Sequence, residues 1–298
     1  MTLKRFKKVG VLMGGPSSER EVSLKSGAAV AKGLRAAGYD VVEIDVKGRS
    51  LDLPAGVEAV FVALHGEFGE DGEIQALLRA SRVPYTGSGP ESSRRAFDKL
   101  LSKRAFLNHD IPTPAFELLE AGGRRTLPLP AVVKPVRQGS SIGVHIVFEE
   151  AEWAGALKDA LSFDGQVLAE SYIEGRELTV GVVGDEVLPV IEIRAAEGFY
   201  DYRAKYTQGG SKHIVPAPIP ADRANECRAL AARVFRALDC QGMGRVDFRM
   251  TPAGALYVLE LNNIPGFTEM SLLPEAARAA GIEFPELCDR ILAMASVH

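Results

Sequence analysis

The chain has 298 residues, 46% hydrophobic and 25% charged, with a formal net charge of -4. That length exceeds what one hydrophobic core usually serves, so two or three domains are expected, and the balanced composition excludes a disordered or a membrane class. The negative balance excludes a general nucleic-acid binder while leaving room for a local cationic pocket. Residues 1–8 are basic, but the apolar run behind them ends within five residues at Gly14-Gly15, too soon for the apolar core of a signal peptide. No stretch approaches the ~18 apolar residues of a membrane helix. The three cysteines, Cys227, Cys240 and Cys288, lack CxxC spacing and are expected to be buried free thiols in a reducing cytoplasm.

In chain order, strands are expected at 9–13, 41–44 and 59–64, alternating with helices at 23–37 and 73–80. Such alternation implies crossover connections and a doubly wound parallel sheet, closing near Tyr85-Thr86-Gly87-Ser88-Gly89-Pro90. A helix at 92–108 follows, then short strands at 115–119, 131–134 and 143–148. A helix at 150–161 carries Trp153, Ala156, Leu157 and Ala160 at helical spacing, and a strand at 167–171 leads onward. Strands at 178–183 and 187–193 flank the two-residue turn Gly184-Asp185. A helix at 221–238 precedes a hairpin, and helices at 272–280 and 284–295 close the chain. The second and third regions therefore read as α+β, with domains at 1–89, 90–171 and 172–298.

Several connections carry chemistry-bearing residues. Gly14-Gly15-Pro16-Ser17-Ser18-Glu19-Arg20-Glu21 turns from strand to helix at the carboxyl end of the sheet, where open α/β folds place ligands, and it is not a GxGxxG dinucleotide turn. Ser18 and Glu21 fit a capping box. Glu19 is then left to bind a ligand ammonium or to complement the helix dipole. His65, in Leu64-His65-Gly66-Glu67-Phe68-Gly69-Glu70-Asp71-Gly72, reaches the same rim as a local hydrogen-bonding residue or a ligand contact. Lys134 ends a buried strand and so needs an anion. Gly139-Ser140-Ser141-Ile142-Gly143 is a donor-rich turn able to cover phosphates or to serve as an ordinary hairpin. Glu170-Ser171-Tyr172-Ile173-Glu174-Gly175-Arg176-Glu177 leaves a strand as a charged linker on which a nucleotide base could stack.

The segment 244–271, which holds a hairpin, is the richest. Arg245 and Asp247 alternate onto one face of its first strand, and Glu260 and Asn262 share a face of its second. With Met250 opposite Ala255 across the Thr251-Pro252-Ala253-Gly254 turn, Asp247 faces Val258 and Glu260 falls on the face of Asp247. A one-residue slip separates them. In the first register two carboxylates and an amide converge beside an Arg, which suits a hard divalent cation and its phosphates, or else forms the solvated polar face of an edge hairpin.

Together these pieces resemble the D-alanyl-D-alanine ligases of the ATP-grasp superfamily over essentially the whole chain. The matching motifs run in order: GGPSSEREVSLKSG, LHGEFGEDG, YTGSG followed by DK, VVKPVRQGSSIGV, FYDYRAKY, GRVDF and ELNNIPGFTEMSLLP. The resemblance implies an ATP-grasp fold: an N-terminal doubly wound parallel-sheet domain followed by two α+β domains. It implies that Lys99, Lys134, Ser140, Ser141, Glu170, Tyr172, Ile173, Glu177 and Lys205 hold ATP. Asp247, Glu260 and Asn262 would ligate two Mg2+ ions, with Mn2+ able to substitute. Glu19 would take the ammonium of the first D-alanine, Ser271 and Leu272 would position the second, and His65 is counted with these substrate residues. The implied catalytic set is Glu19, Ser140, Tyr206, Arg245 and Gly266. Lys205 and Tyr206 would close over the site and favour D-alanine over D-lactate or D-serine as second substrate. A non-catalytic nucleotide-binding relative is the alternative of a different class. A homodimer, a cytoplasmic location and a place in peptidoglycan synthesis are further implications. Two departures stand out: Asn263 where the family commonly has Thr, and Arg203 where Glu is frequent.

Overall fold

The computed structural model describes residues 4–195 and 211–298. Arg203, Lys205 and Tyr206 lie outside them. In the first region, unbroken apolar runs form strands buried on both faces, as a parallel sheet requires. These are β1 (Lys8–Gly14) and β3 (Ala59–Val62), with β2 (Asp40–Val46) at the edge. The order is β2-β1-β3, with Val9 opposite Val41 on one side and Ala59 on the other. α1 (Arg20–Ala36) and α2 (Glu73–Ala80) are the connecting helices. A Cβ at Gly27 would meet Met13 Cβ at 2.4 Å, so the missing side chain is what lets α1 approach the sheet.

The expected capping box at Ser18 and Glu21 does not form. α1 begins at Arg20 with Glu19 as its N-cap residue, and no side chain caps it. Ser17 fixes the turn instead, its Oγ accepting from the Glu19 N–H at 3.2 Å and donating to the His65 carbonyl at 2.6 Å. Glu19 thereby enters the wall of a cavity rather than the helix surface.

The helix expected at 92–108 is two helices, α3 (Pro90–Phe97) and α4 (Lys99–Asn108). Asp98 divides them: its backbone is extended and its carboxylate accepts from the Leu101 N–H at 3.0 Å. The local capping bond outweighs helix continuity and puts Lys99 at the first position of α4. β4 (Phe116–Leu119), β5 (Ala131–Pro135), β6 (His145–Val147) and β7 (Val167–Ser171) form an antiparallel sheet in the order β4-β7-β5-β6. α5 (Glu150–Asp164) covers it with Trp153, Ala156 and Ala160.

The third sheet follows the path β11-β10-β8-β12-β13, with β9 also against β8. Its strands are β8 (Arg176–Val183), β9 (Glu186–Val187), β10 (Ile191–Ala195), β11 (Ser211–Ile214), β12 (Met243–Met250) and β13 (Leu256–Asn262). The Gly184-Asp185 turn is present, pairing Val183 with Glu186, but the strand expected at 187–193 is divided between β9 and β10. α6 (Ala221–Ala237) packs Cys227, Leu230, Ala231 and Val234 against this sheet.

The β12–β13 register departs from the expected one in two places that cancel. Met250 pairs with Leu256, one residue beyond Ala255, and this slip alone would turn Glu260 away from Asp247. Between Asp247 and Phe248 the register shifts again, because Phe248 pairs with Val258 and Asp247 with Glu260, leaving Leu259 as a bulge. Burial along β13 records the change of phase: Leu256 and Val258 are buried, then Leu261. The bulge thus restores the shared face, placing Asp247 opposite Glu260 and Arg245 opposite Asn262.

The three sheets lie within residues 8–62, 116–171 and 176–262, whereas the first core draws on residues from Phe6 to Ala295. α7 (Leu272–Ala279) and α8 (Phe284–Ala293) bury Leu273, Leu287, Ile291 and Leu292 in the cluster that holds Val9, Leu12 and Phe61, and Tyr85 bridges to Ser296. All three cysteines are buried and free, and burial pushes the Cys227 and Cys288 thiols up to about 12, which leaves them unreactive. No helix among the described residues is long and apolar enough to cross a membrane.

Candidate active site

Every expected site residue within the described part of the chain lines one of two adjoining cavities. The larger, about 360 Å³, is walled by Glu19, His65, Ser140, Arg245, Asn262, Gly266, Ser271 and Leu272. The smaller, about 90 Å³, is walled by Lys134, Ser141, Glu170, Tyr172, Ile173, Glu177 and Asp247. Lys99 and Glu260 border both, with Nζ 3.7 Å from Oε2.

The smaller cavity is lined by β5 and β7 on one side and β8, β12 and β13 on the other. Strand pairing places Lys134 against Leu168 of β7, two residues from Glu170. Lys134 Nζ lies 2.8 Å from Glu170 Oε1, and a second ammonium, Lys103 of α4, lies 3.1 Å from the same oxygen. Burial opposes ionisation of Glu170, but these two ammoniums overcome it and hold its carboxyl below the usual range. Burial also pulls Lys103 down to about 8, against the raising influence of Glu170.

Two contributors to this cavity were missed from sequence. Lys103 reads as an exposed helix position but is fully buried. Arg249 follows Asp247 by two residues, so strand alternation already put it on the same face. Its Nε donates to the Ile173 carbonyl at 3.0 Å, and its guanidinium lies 3.4 Å from Glu177 Oε2 and over the Tyr172 ring. It holds the linker that passes between the two sheets.

The larger cavity is assembled from turns. The segment at 139–143 crosses to the first domain, where the Ser140 hydroxyl donates to Glu19. Ser140 and Ser141 both sit in the left-handed region, at φ 50° and 58°, a strain of about 1–3 kcal/mol each that non-glycine residues sustain where the surroundings demand it. His65 lines the wall with both ring nitrogens engaged, one 3.1 Å from the Ile264 carbonyl and the other 3.0 Å from Ser26 Oγ. It therefore joins the first domain to the turn after β13. Asn263, at the position where the family commonly has Thr, makes the same connection, donating to the Glu70 carbonyl at 3.2 Å. Ser271 is the N-cap residue of α7, and its Oγ accepts from the Thr268 N–H at 3.0 Å. His213, also in this wall, lies 2.7 Å from Glu275 and had no motif to announce it.

Between the cavities, Arg245 grips Asp247 through both carboxylate oxygens at 2.9 and 2.8 Å, and the Thr179 hydroxyl donates to Asp247 at 2.6 Å. Among the described residues no three His, Cys, Asp or Glu side chains cluster as a metal cage. Asp247 and Glu260 face each other across the strand pair with Asn262 beside them, an all-oxygen set. It fits Mg2+, which takes one or two carboxylates and fills the remaining positions from water and substrate phosphates.

A cleft walled by two antiparallel sheets, with lysines from α4 and β5 and paired carboxylates from β12 and β13, defines an ATP-grasp enzyme. The D-ala D-ala ligase C-terminus family model matches residues 106–293, and the D-ala D-ala ligase N-terminus model matches residues 43–88. The D-alanine–D-alanine ligase of Syntrophotalea carbinolica is 48% identical over 298 residues, covering 98% of this chain and 97% of that one. The enzyme of the same name from Methylacidiphilum infernorum is 45% identical over 284 residues, 95% and 94% of the two chains. Among solved structures, the Bacillus anthracis D-alanine–D-alanine ligase complexed with ATP superposes with a TM-score of 0.85 at 32% identity, covering 97% of each chain. The VanG D-Ala:D-Ser ligase of Enterococcus faecalis gives 0.86 at 30% identity, covering 97% and 99%. The chain belongs to the D-alanine–D-alanine ligase family.

Proposed function

We infer that this protein joins two molecules of D-alanine at the expense of ATP, through a D-alanyl phosphate, to supply a precursor of peptidoglycan. The observation that carries this reading is the sharing of Lys99 and Glu260 by the two cavities, so that a nucleotide in the smaller and an amino acid in the larger would meet at one reacting point. Glu170, Tyr172, Ile173 and Glu177 would take the adenosine, and Lys99 and Lys134 the phosphates. Lys99 opens α4, so the positive end of the helix adds to its own charge there. Asp247, Glu260 and Asn262 would hold two Mg2+ ions, which when bound offset charge on the transferring phosphoryl group.

Glu19 suits the ammonium of the first D-alanine, whose carboxylate oxygen attacks the terminal phosphoryl group as its bond to the bridging oxygen breaks and ADP leaves. The amine of the second D-alanine then attacks the acyl carbon, and phosphate leaves. Arg245 and the Gly266 N–H are suited to the tetrahedral oxyanion, each well-placed donor contributing about 3–4 kcal/mol. Ser271 and Leu272 begin α7, and the N–H groups of a helix start suit the carboxylate of the second amino acid. With both ring nitrogens held by the protein, His65 contributes by fixing the wall. Ser140 and Ser141 cover the phosphates, excluding water from a labile intermediate. Lys205 and Tyr206 belong to the same proposal as closing residues, as do a homodimer and a cytoplasmic location.

The likeness to a D-Ala:D-Ser ligase keeps a second reading, in which D-serine or D-lactate is the acceptor. Phosphate release by the purified protein with ATP, Mg2+ and D-alanine alone, compared with D-alanine plus D-lactate or D-serine, separates the readings. Release with D-alanine alone and a dipeptide product is expected. Release only with a mixture would replace the first reading with the second.

A further inference from the structure

The bulge at Leu259 decides whether Glu260 faces Asp247, so whatever holds the bulge governs the paired carboxylates. Among the described residues β13 is the edge strand of its sheet, with no strand along its outer side. At Val258, the residue just before the bulge, both backbone groups are held by the segment after α4. The Val258 N–H donates to the Pro112 carbonyl at 2.8 Å, and the Val258 carbonyl accepts from the Thr113 hydroxyl at 2.7 Å. The same hydroxyl accepts from Lys103 Nζ at 2.6 Å, and that ammonium lies 3.1 Å from Glu170 Oε1. A continuous polar path therefore runs from Glu170 in the smaller cavity, through Lys103 and Thr113, to the backbone next to Glu260.

Two features separate this path from ordinary packing. Lys103 is fully buried, and it follows Lys99 by four residues, so both lie on one face of α4, Lys99 bordering the cavities and Lys103 paired with Glu170 behind their lining. A buried ammonium is poor support for stability when an apolar side chain of similar volume would serve, so its presence calls for a positional reason. The Thr113 hydroxyl both donates and accepts, so it can be oriented only when each of its neighbours is in place.

Building on the functional reading above, we propose that Thr113 and Lys103 are positioning residues: they lock the β13 bulge so that Glu260 stands opposite Asp247, and they tie that register to Glu170 in the nucleotide pocket. Neither touches the reacting atoms. Direct hydrogen-bond partners of a ligand typically govern metal affinity by about 10-fold to 100-fold, and a contact at Val258, two residues from Glu260, belongs at the lower end of that range.

The test uses the full-length protein and the uptake of Mn2+ in the presence of a non-hydrolysable ATP analogue, followed by loss of the free Mn2+ electron paramagnetic resonance signal. Thr113→Val keeps the shape and removes the hydroxyl, and Thr113→Ser restores it. We expect Thr113→Val to weaken Mn2+ uptake about 10-fold and to lower kcat, with KM for D-alanine changed by less than about 2-fold. Thr113→Ser should recover most of the uptake. Lys103→Met should reproduce the Mn2+ defect and also weaken binding of the analogue, and the Thr113 pair decides the matter should that variant fail to fold. Wild-type uptake by Thr113→Val overturns the proposal alone, as does a Thr113→Ser protein no better than Thr113→Val, which would mark a packing effect. Absence of Mn2+ and nucleotide binding by the wild-type protein would overturn the functional reading, and this proposal with it.

Discussion

The two cavities meet at Lys99 and Glu260 but are built by different means. The smaller rests largely on strands and their immediate ends: Lys134, Glu170, Glu177, Asp247 and Arg249 all occupy paired positions, and its central charges are buried against one another. The larger is bounded mainly by turns from distant parts of the chain, around Glu19, His65, Ser140 and Gly266, cross-linked by side-chain bonds to backbone carbonyls. A nucleotide presents the same base and phosphates at every turnover and suits a rigid strand-built slot, whereas amino acids must enter, react and leave as a dipeptide. On this account, breaking one partner of the buried charges in the strand-built half should cost stability, and substitutions in the turn-built half should cost substrate affinity.

That contrast predicts where substitutions will act. Glu170→Gln should have the largest effect on the fold, because it leaves Lys103 and Lys134 buried without their anion. A loss of about 3–5 kcal/mol in chemical denaturation is expected, and a loss under about 1 kcal/mol would break the distinction. Acid should remove the same contribution. The Glu170 carboxyl lies below its ordinary 4.5 in the folded protein, so its stabilisation is complete above that value and fades as pH falls through the lowered one. The fall in melting temperature of wild type below pH 4.5 should be blunted in Glu170→Gln.

Glu260→Gln should leave the melting curve near that of wild type, and Asp247→Asn should lower it by less than Glu170→Gln through the loss of its charge beside Arg245, while each lowers turnover on the order of 100-fold or more. Near-normal turnover in either variant would remove these residues from the proposed chemistry. Glu19→Gln, in the turn-built half, should raise KM for the first D-alanine about 10-fold, the size expected for one charge-assisted hydrogen bond, with smaller changes in ATP binding. Equal changes in both would dissolve the division of labour. At the low end, Arg79→Ala breaks an exposed pair with Glu91 and should leave the denaturation midpoint indistinguishable from wild type, which scales the buried network against the surface.

The strand-built half was also the more legible in sequence. Alternation puts Arg245 and Asp247 on one face, the VVKPVRQGSSIGV motif holds Lys134, and Glu170 came with the resemblance, whereas Arg249 was missed although the same alternation places it beside Asp247. Lys103 was illegible because a lysine four residues after another reads as a solvated helix face, and only Thr113 and Glu170, distant in sequence, bury it. The Leu259 bulge has no local signal, since Leu-Glu-Leu-Asn fits either phase of a strand. The conclusion that Asp247 and Glu260 share a face survived because two register errors cancelled. In the turn-built half, Glu19 was found because it had no structural duty, although the duty assigned to Ser18 belongs to Ser17. Asn263 gained its meaning only from the Glu70 carbonyl across the domain boundary.

The most direct test of the central claim follows oxygen from one half of the site to the other. D-alanine carrying heavy oxygen in both carboxylate positions is supplied with ATP and Mg2+, and the released phosphate is analysed by mass spectrometry. If the first D-alanine is activated as an acyl phosphate and consumed by the second, each dipeptide formed delivers a single heavy oxygen to phosphate. Phosphate released without label, its oxygen drawn from water, would contradict the account.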